Sequence, residues 1–97
     1  MNVVYEIEGL RVEWDSNKAR MNIAKHGVSF EEAAEVFLDP LCLYDDASIE
    51  SESRDFVMGF SFAKRLLFVV HIERGERIRI ISARLATTYE RTQYEES

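Results

Sequence analysis

Three apolar, alternating segments joined by two tight turns occupy the chain from Asp55 to Ile81, and no other feature constrains the fold as much. Asp55-Phe56-Val57-Met58-Gly59-Phe60-Ser61-Phe62 leads into the basic turn Ala63-Lys64-Arg65. Leu66–Ile72 follows, then the turn Glu73-Arg74-Gly75-Glu76, then Arg77–Ile81. Segments rich in β-branched and aromatic side chains, with connections too short for a crossover, run back and forth as an antiparallel meander. Leu66–Ile72 is the most hydrophobic of them and is expected near the centre of the sheet.

The last strand carries the residues with most chemical interest. In Arg77-Ile78-Arg79-Ile80, successive side chains point to opposite faces. The isoleucines therefore enter a core while Arg77 and Arg79 stand together on the other face. Arg84 follows at the expected junction with a closing helix, read from about Ala83 to Tyr94, on which Tyr89 and Arg91 lie. Guanidinium groups and a phenol gathered at one junction suit an anionic ligand. A solvated, salt-bridged sheet face would show the same residues.

The first forty residues are punctuated as a hairpin and two short helices. Val3–Ile7 and Leu10–Trp14 alternate around Gly9. Asp15 reads as an N-cap, with Trp14 and Ala19 at staple positions, for a helix from about Ser16 to His26 that Gly27 ends. Its apolar face is narrow: Ala19, Ile23 and Met21. Ser29-Phe30-Glu31-Glu32 has capping-box form and opens a second helix to Leu38, burying Ala33, Val36 and Phe37, before Asp39-Pro40. Glu31, Glu32 and Glu35 on that helix would repel phosphate, so the helical pair is not read as a DNA-binding element. Leu41–Tyr44 is a further short strand, and Asp45 to Glu52 an acidic loop. The expected fold is thus α+β: one domain over residues 1–97, with two N-terminal helices, an antiparallel sheet of about four strands and a C-terminal helix.

Composition narrows the function classes. One cysteine, Cys42, cannot make an internal disulfide, which suits a reducing compartment. The N-terminal MNVVYEIEGL lacks a basic leader, and Leu66–Val70, the longest apolar run, falls far short of the ~20 residues that cross a bilayer. A cytoplasmic protein with no membrane partner is expected. The net charge of −6 is unevenly spread: residues 1–60 hold 5 Lys/Arg against 13 Asp/Glu, residues 61–97 hold 7 against 5. Phosphate contacts depend on local clusters rather than on net charge, so a basic face can still bind RNA.

Other candidates are weighed the same way. Lys25 and His26 end the first helix, where cations interact favourably with the helix dipole; they are also placed to contact phosphate and to move a proton near neutral pH. His71 lies on the Leu67-Val69 face of its strand and reads as structural. Two distant histidines and one cysteine do not form a metal-ligand pattern, and no phosphate-binding glycine loop or dinucleotide fingerprint is present. No cofactor is expected. Arg65 sits in a turn that can approach the Arg79–Arg84 end of the sheet. RNA cleavage needs a group that takes the 2′-hydroxyl proton, positive charge on the scissile phosphate, and a proton for the leaving 5′-oxygen. Arginines supply the second requirement; His26, Tyr89 or Lys25 can supply the others.

Several strings go beyond chemistry. Trp14-Asp15, Lys18, Asn22, Lys25-His26-Gly27-Val28-Ser29-Phe30, Ala33 and Asp39-Pro40, followed by Glu52-Ser53-Arg54, Gly59, Arg79-Ile80-Ile81-Ser82-Ala83-Arg84, Glu90 and Tyr94, resemble the signature of the BrnT family over about residues 12–95. The resemblance implies a RelE-like ribonuclease toxin of a type II toxin–antitoxin module that inhibits translation without a metal. It also implies a BrnA-like ribbon–helix–helix antitoxin, contact with operator DNA only through that antitoxin, and a heterotetramer. Arg79, Arg84 and Tyr89 carry over as the first choice of active-site positions, with His26 assisting proton transfer. Lys25, Arg54 and Arg65 carry over as substrate contacts. Met1–Gly9 falls outside the motif, and the acidic first half departs from the basic character of a ribonuclease while suiting a basic antitoxin. The competing reading is a non-catalytic module that binds RNA, the ribosome or the antitoxin.

Overall fold

A computed structural model describes residues 1–46 and 54–97. The alternation on either side of Gly9 forms a hairpin of β1 (Asn2–Ile7) and β2 (Leu10–Asp15), with Val3 opposite Trp14 and Tyr5 opposite Val12. Asp15 caps α1 (Ser16–His26) by accepting from the Lys18 N–H at 3.0 Å, and Gly27 closes the helix at φ 70°, a left-handed conformation in which glycine meets no Cβ penalty. Ser29 caps α2 (Phe30–Glu35), and one 3-10 turn over Val36–Leu38 carries the chain to Asp39-Pro40. The expected capping box is half formed: Ser29 accepts from the Glu32 N–H, but the Glu32 carboxylate accepts from Arg65 and Ser61 instead.

The meander is present as β4 (Asp55–Phe60), β5 (Leu66–Arg74) and β6 (Arg77–Leu85), with β3 (Leu43–Asp46) beyond β4. Of the acidic loop expected from Asp45 to Glu52, Asp45 and Asp46 belong to β3 and the remainder lies outside the described residues. The sheet itself differs from the one expected. Among the described residues it has six strands in the order β1-β2-β6-β5-β4-β3, and it is mixed, because β2 and β6 run parallel through Val12–Ile78 and Glu13–Arg79. A helix pair rather than a turn follows β2, so its neighbour in the sheet comes from the far end of the chain.

The sequence also placed the β6–helix boundary too early. Strand pairing continues through Phe68–Arg84 and Leu67–Leu85, and the Ala86 N–H donates to the Leu66 carbonyl at 2.9 Å. Helix α3 (Thr88–Glu95) begins only after Thr87, whose hydroxyl and the Glu90 carboxylate complete a reciprocal capping box. Arg84 is therefore a strand residue.

One side of the sheet carries α1 and α2. The core between them includes Val12, Trp14, Val28, Phe30, Ala33, Val36, Val57, Leu67, Val69, Ile80 and Ala83. Gly59 permits the close approach of the 3-10 turn, since a Cβ there would lie 3.1 Å from Val36 Cγ1 and 3.0 Å from Cys42 Cβ. Ile80 and Ala83 both face this core although three residues apart, because the register slips by one residue: Ser82 pairs with Val70, Ile80 with His71, and Ile81 is left over as a bulge. The slip returns Arg84 to the same face as Arg79, opposite the core.

The α1 packing is not the one its apolar residues suggest. Met21 and Ile23 remain 70% and 50% exposed, and the buried residue is Asn22. Its Nδ2 donates to the carbonyls of Val28 (2.9 Å) and Ala83 (2.8 Å), and its Oδ1 accepts from the Ala83 N–H (3.2 Å). The amide thus pairs with both backbone groups of one β6 residue, as a neighbouring strand would. Asn22→Leu, apolar and similar in size, abandons all three bonds among buried groups and is expected to lower stability by at least about 2 kcal/mol, read from the urea midpoint. A loss no larger than that of an exposed control such as Asn17→Leu would show that the amide does not hold α1 to the sheet.

Candidate active site

Residues opposite the core on β2 and β6 build a cationic cluster around one acid. Glu13 lies between Val12 and Trp14, which point into the core, so its carboxylate turns to the other face, where it is only 5% exposed. Arg79, its register partner, donates to Glu13 Oε2 at 2.6 Å and to Asn2 Oδ1 at 2.7 Å. Arg77 reaches Glu13 Oε1 at 3.4 Å, and Arg74 lies 3.7 Å from Oε2. Burial opposes ionisation of Glu13, but the hydrogen bonds from Arg79 and Arg77 outweigh it and hold the pKa below the usual carboxylate range. Three guanidinium groups answered by one carboxylate leave the cluster net positive.

Farther along β6, Arg84 makes a bidentate pair with Glu90 at 2.8 and 2.9 Å, and its guanidinium stacks over the Phe68 ring at 4.3 Å. The pair ties α3 to the sheet. The Arg84 side chain is still 35% exposed, so an edge of it stays open to a ligand. The hydrogen bonds from Arg84 are the main reason that Glu90 has a lowered pKa. Tyr89, one residue before, points into solvent, 72% exposed, with its oxygen accepting from Gln93 at 3.2 Å.

The remaining candidates divide between the two ends of the sheet. Arg65 binds Glu32 through Nε (2.9 Å) and Nη2 (2.5 Å) and donates to the Gly27 carbonyl (3.1 Å), directly after His26. It therefore lies at the Arg84 end of β6, as expected from the turn, but on the helix side. Lys25 and His26 line a cavity of about 190 Å³ between α1 and the bulged part of β6, together with Lys18, Met21, Asn22, Ile81 and Ser82. Arg54, at the start of β4, lies near the other end, where Asp55 pairs with His71. Arg65, Lys25 and His26 thus lie around the α1–α2 turn, and Arg84 lies at the same end of β6 on the opposite face. Arg79 stands with Arg74 and Arg77 about five strand residues away, or ~16 Å at ~3.3 Å per residue.

Two residues that carry ionisable groups have structural surroundings. His71 is buried against Phe37 and Tyr44, and desolvation lowers its pKa. Burial likewise pushes the Cys42 thiol up, away from a nucleophilic thiolate. Among the described residues, no three His, Cys, Asp or Glu side chains gather as metal ligands, and no helix is long and apolar enough to cross a membrane. Sequence reading missed Glu13, Glu32 and Glu90 as partners of the arginines. The Thr87–Glu90 capping spacing was a signal for the last.

The paired carboxylates make stability depend on acid. Glu13, Glu32 and Glu90 all have pKa values lowered by folding. Their contribution is complete above the ordinary carboxylate value of ~4.3 and is lost as the pH falls through the lower folded values. Thermal melts should therefore show a steep decline only below about pH 4. Glu90→Gln should be less stable near neutrality and should lose less on acidification; an unchanged acid transition would show that the Arg84 pair contributes nothing.

Comparison with known proteins places this geometry in context. The family model described as "Ribonuclease toxin, BrnT, of type II toxin-antitoxin system" matches residues 14–90. The crystal structure of the ribonuclease toxin BrnT from Brucella abortus superposes with a TM-score of 0.60 at 27% sequence identity, over 77% of this chain and 94% of that one. No curated protein matches. The match begins at Trp14 and spans both helices, the whole meander and the first turn of α3, so the chain belongs to the BrnT family of ribonuclease toxins of type II toxin–antitoxin systems.

Proposed function

We propose that the chain is a metal-independent endoribonuclease that inhibits translation by cutting RNA along the β6 face. The observation that carries this reading is the arrangement around one strand. Two guanidinium groups on the same face, Arg79 and Arg84, bracket a segment whose flank holds Lys25 and His26. In the proposed reaction a base takes the 2′-hydroxyl proton and the 2′-oxygen bonds to phosphorus. The P–O5′ bond then breaks, and an acid protonates the leaving oxygen, giving a 2′,3′-cyclic phosphate and a 5′-hydroxyl. Arg84 stabilises the charge that builds on the phosphoryl oxygens, and Arg79, farther along the same face, holds another phosphate of the strand in line with it. His26 is the proton-transfer group that the geometry favours, at the rim of the cavity beside β6. Tyr89, on the exposed side of α3, has room to stack on a base. Arg65 and Arg54 extend the cationic surface toward the two ends of the sheet.

Family membership implies an antitoxin. A BrnA-like ribbon–helix–helix protein, carrying the only contacts to operator DNA and joining the toxin in a heterotetramer, fits the acidic N-terminal half of this chain. Placement in the cytoplasm follows from that role. A specific observation favours the alternative, a non-catalytic binding module: Arg65, Arg79 and Arg84 are each paired with a glutamate, as purely structural arginines would be.

Incubation of the purified chain with RNA in EDTA separates the two. Cleavage with chelator present, reduced on the order of 10²–10³ in Arg79→Ala or Arg84→Ala, is the expected result. Because both arginines hold carboxylates, melting temperatures are measured alongside, and Arg79→Lys and Arg84→Lys keep the charge while losing the planar fork. Intact RNA under tight binding, or full cleavage by a folded double alanine variant, would overturn the assignment.

A further inference from the structure

We infer that the cavity between α1 and the bulged segment of β6 is a phosphate subsite for single-stranded RNA, with Lys18 and Lys25 as its cationic walls. The inference rests on the ribonuclease reading above and names where the substrate backbone sits.

The cations of the chain divide into paired and unpaired ones. Arg65, Arg74, Arg77, Arg79 and Arg84 all lie within ion-pair distance of a glutamate, and Arg11 pairs with Glu6. By contrast, the side chains of Lys18, Lys25 and His26 have no ion pair or hydrogen bond among the described residues. These three line one cavity. Residues 18, 22, 25 and 26 recur at helical spacing, so they form a single stripe on α1. Asn22, in the middle of the stripe, is held by Ala83, which fixes the stripe against β6. Lys18 and Lys25 stand two turns apart, about 10 Å along the axis, and face one cavity with no carboxylate in its lining. No carboxylate of the lining compensates either lysine, so an anion seated between them is attracted by both.

The opposite wall suits the same ligand. Ile81 is the unpaired residue of the bulge, and the Ser82 hydroxyl has no partner among the described residues. Beyond Arg79, β6 has no strand on its β2 side, because β2 pairs only through Val12 and Glu13. In place of a strand, α1 lies there and holds Ala83 through Asn22, and Ile81 and Ser82 beside that contact line the cavity. About 190 Å³ corresponds to roughly six waters at ~30 Å³ each, room for one phosphate group with part of its ribose. Met21, 70% exposed in the same lining, gives the sugar an apolar contact. His26, half-buried at the rim, is then next to the phosphate whose neighbour it would act on.

Lys18→Gln/Lys25→Gln tests this without touching any packed or paired group. The readout is fluorescence anisotropy of a 2′-O-methylated RNA oligonucleotide, which binds but cannot be cut, across a salt series, with melting temperature as the fold control. The expected result is an affinity loss of about tenfold or more, and a salt slope shallower by ~0.7 per phosphate contact removed, at unchanged stability. Lys18→Arg/Lys25→Arg should restore both. Lys64→Gln removes a lysine outside this cavity and should have the smaller effect. Unchanged affinity and slope in the folded double variant, with cleavage of ordinary RNA retained, would overturn the subsite and leave the ribonuclease reading standing. Equal loss in Lys64→Gln would overturn it as well. Neither binding nor cleavage by the unaltered chain would overturn both.

Discussion

The side-chain amide of Asn22 is the contact on which the rest of the arrangement depends. β6 has a neighbouring strand on its β2 side only as far as Arg79, and beyond that point its backbone groups would face a helix that offers no matching ladder. Asn22 offers a donor and an acceptor to Ala83, and a second donor interaction to Val28. A buried polar group is tolerable only when its hydrogen bonds are made, so α1 has one position along β6 at which it can sit. The α1–α2 turn, the cavity and the spacing between α1 and the arginine-bearing strand all follow from that one placement. Two long apolar residues of α1, Met21 and Ile23, can then remain at the surface.

The electrostatics have two layers. The arginines of the sheet are organised by glutamates from elsewhere in the chain: Glu13 gathers Arg74, Arg77 and Arg79, Glu90 holds Arg84, and Glu32 holds Arg65. Each pair fixes a long side chain in one conformation, so the entropy of ordering it is lost on folding rather than on meeting a ligand. The lysines of α1 have no ion pair among the described residues. The overall acidity of the chain and a cationic working face are therefore compatible, since much of the acid serves to aim the arginines.

Much of this was legible in the sequence. Asp15, Gly27, Ser29 and Asp39-Pro40 mark helix ends because capping is local chemistry, and the observed bounds of α1 are those expected. The meander was legible because alternation and short turns leave few topologies. Contacts across long chain separations were not. The parallel pairing of β2 with β6 carries no local signature, and the role of Asn22 is visible only when Ala83 is beside it. The placing of Arg84 at a strand–helix junction failed because the strand continues past it, with Arg84 opposite Phe68 and Leu85 opposite Leu67. Of the candidate residues, Lys25 and His26 line one cavity and Arg65 binds the Gly27 carbonyl beside them, whereas Arg84 pairs with Glu90 and Arg79 with Glu13 on the face opposite the core.

The bulge at Ile81 makes the pairing of β6, and not only its residue types, a specified quantity. It acts as a phase shift: every position after it belongs to the face that strict alternation would deny it. Arg84 shares a face with Arg79, and Ala83 shares one with Ile80, only because one extra residue lies between them. Replacing Ile81 changes a local fit. Deleting Ile81 would remove the bulge and leave the faces beyond it as they are, with Ser82, Ala83 and Arg84 still opposite Val70, Val69 and Phe68; the exchange of sides follows only if Ile81 takes a place in the ladder, which would turn Ala83 outward and Arg84 toward the core. What a one-residue deletion here would alter is the wall that Ile81 gives the cavity beside α1, and not the facing of the arginines.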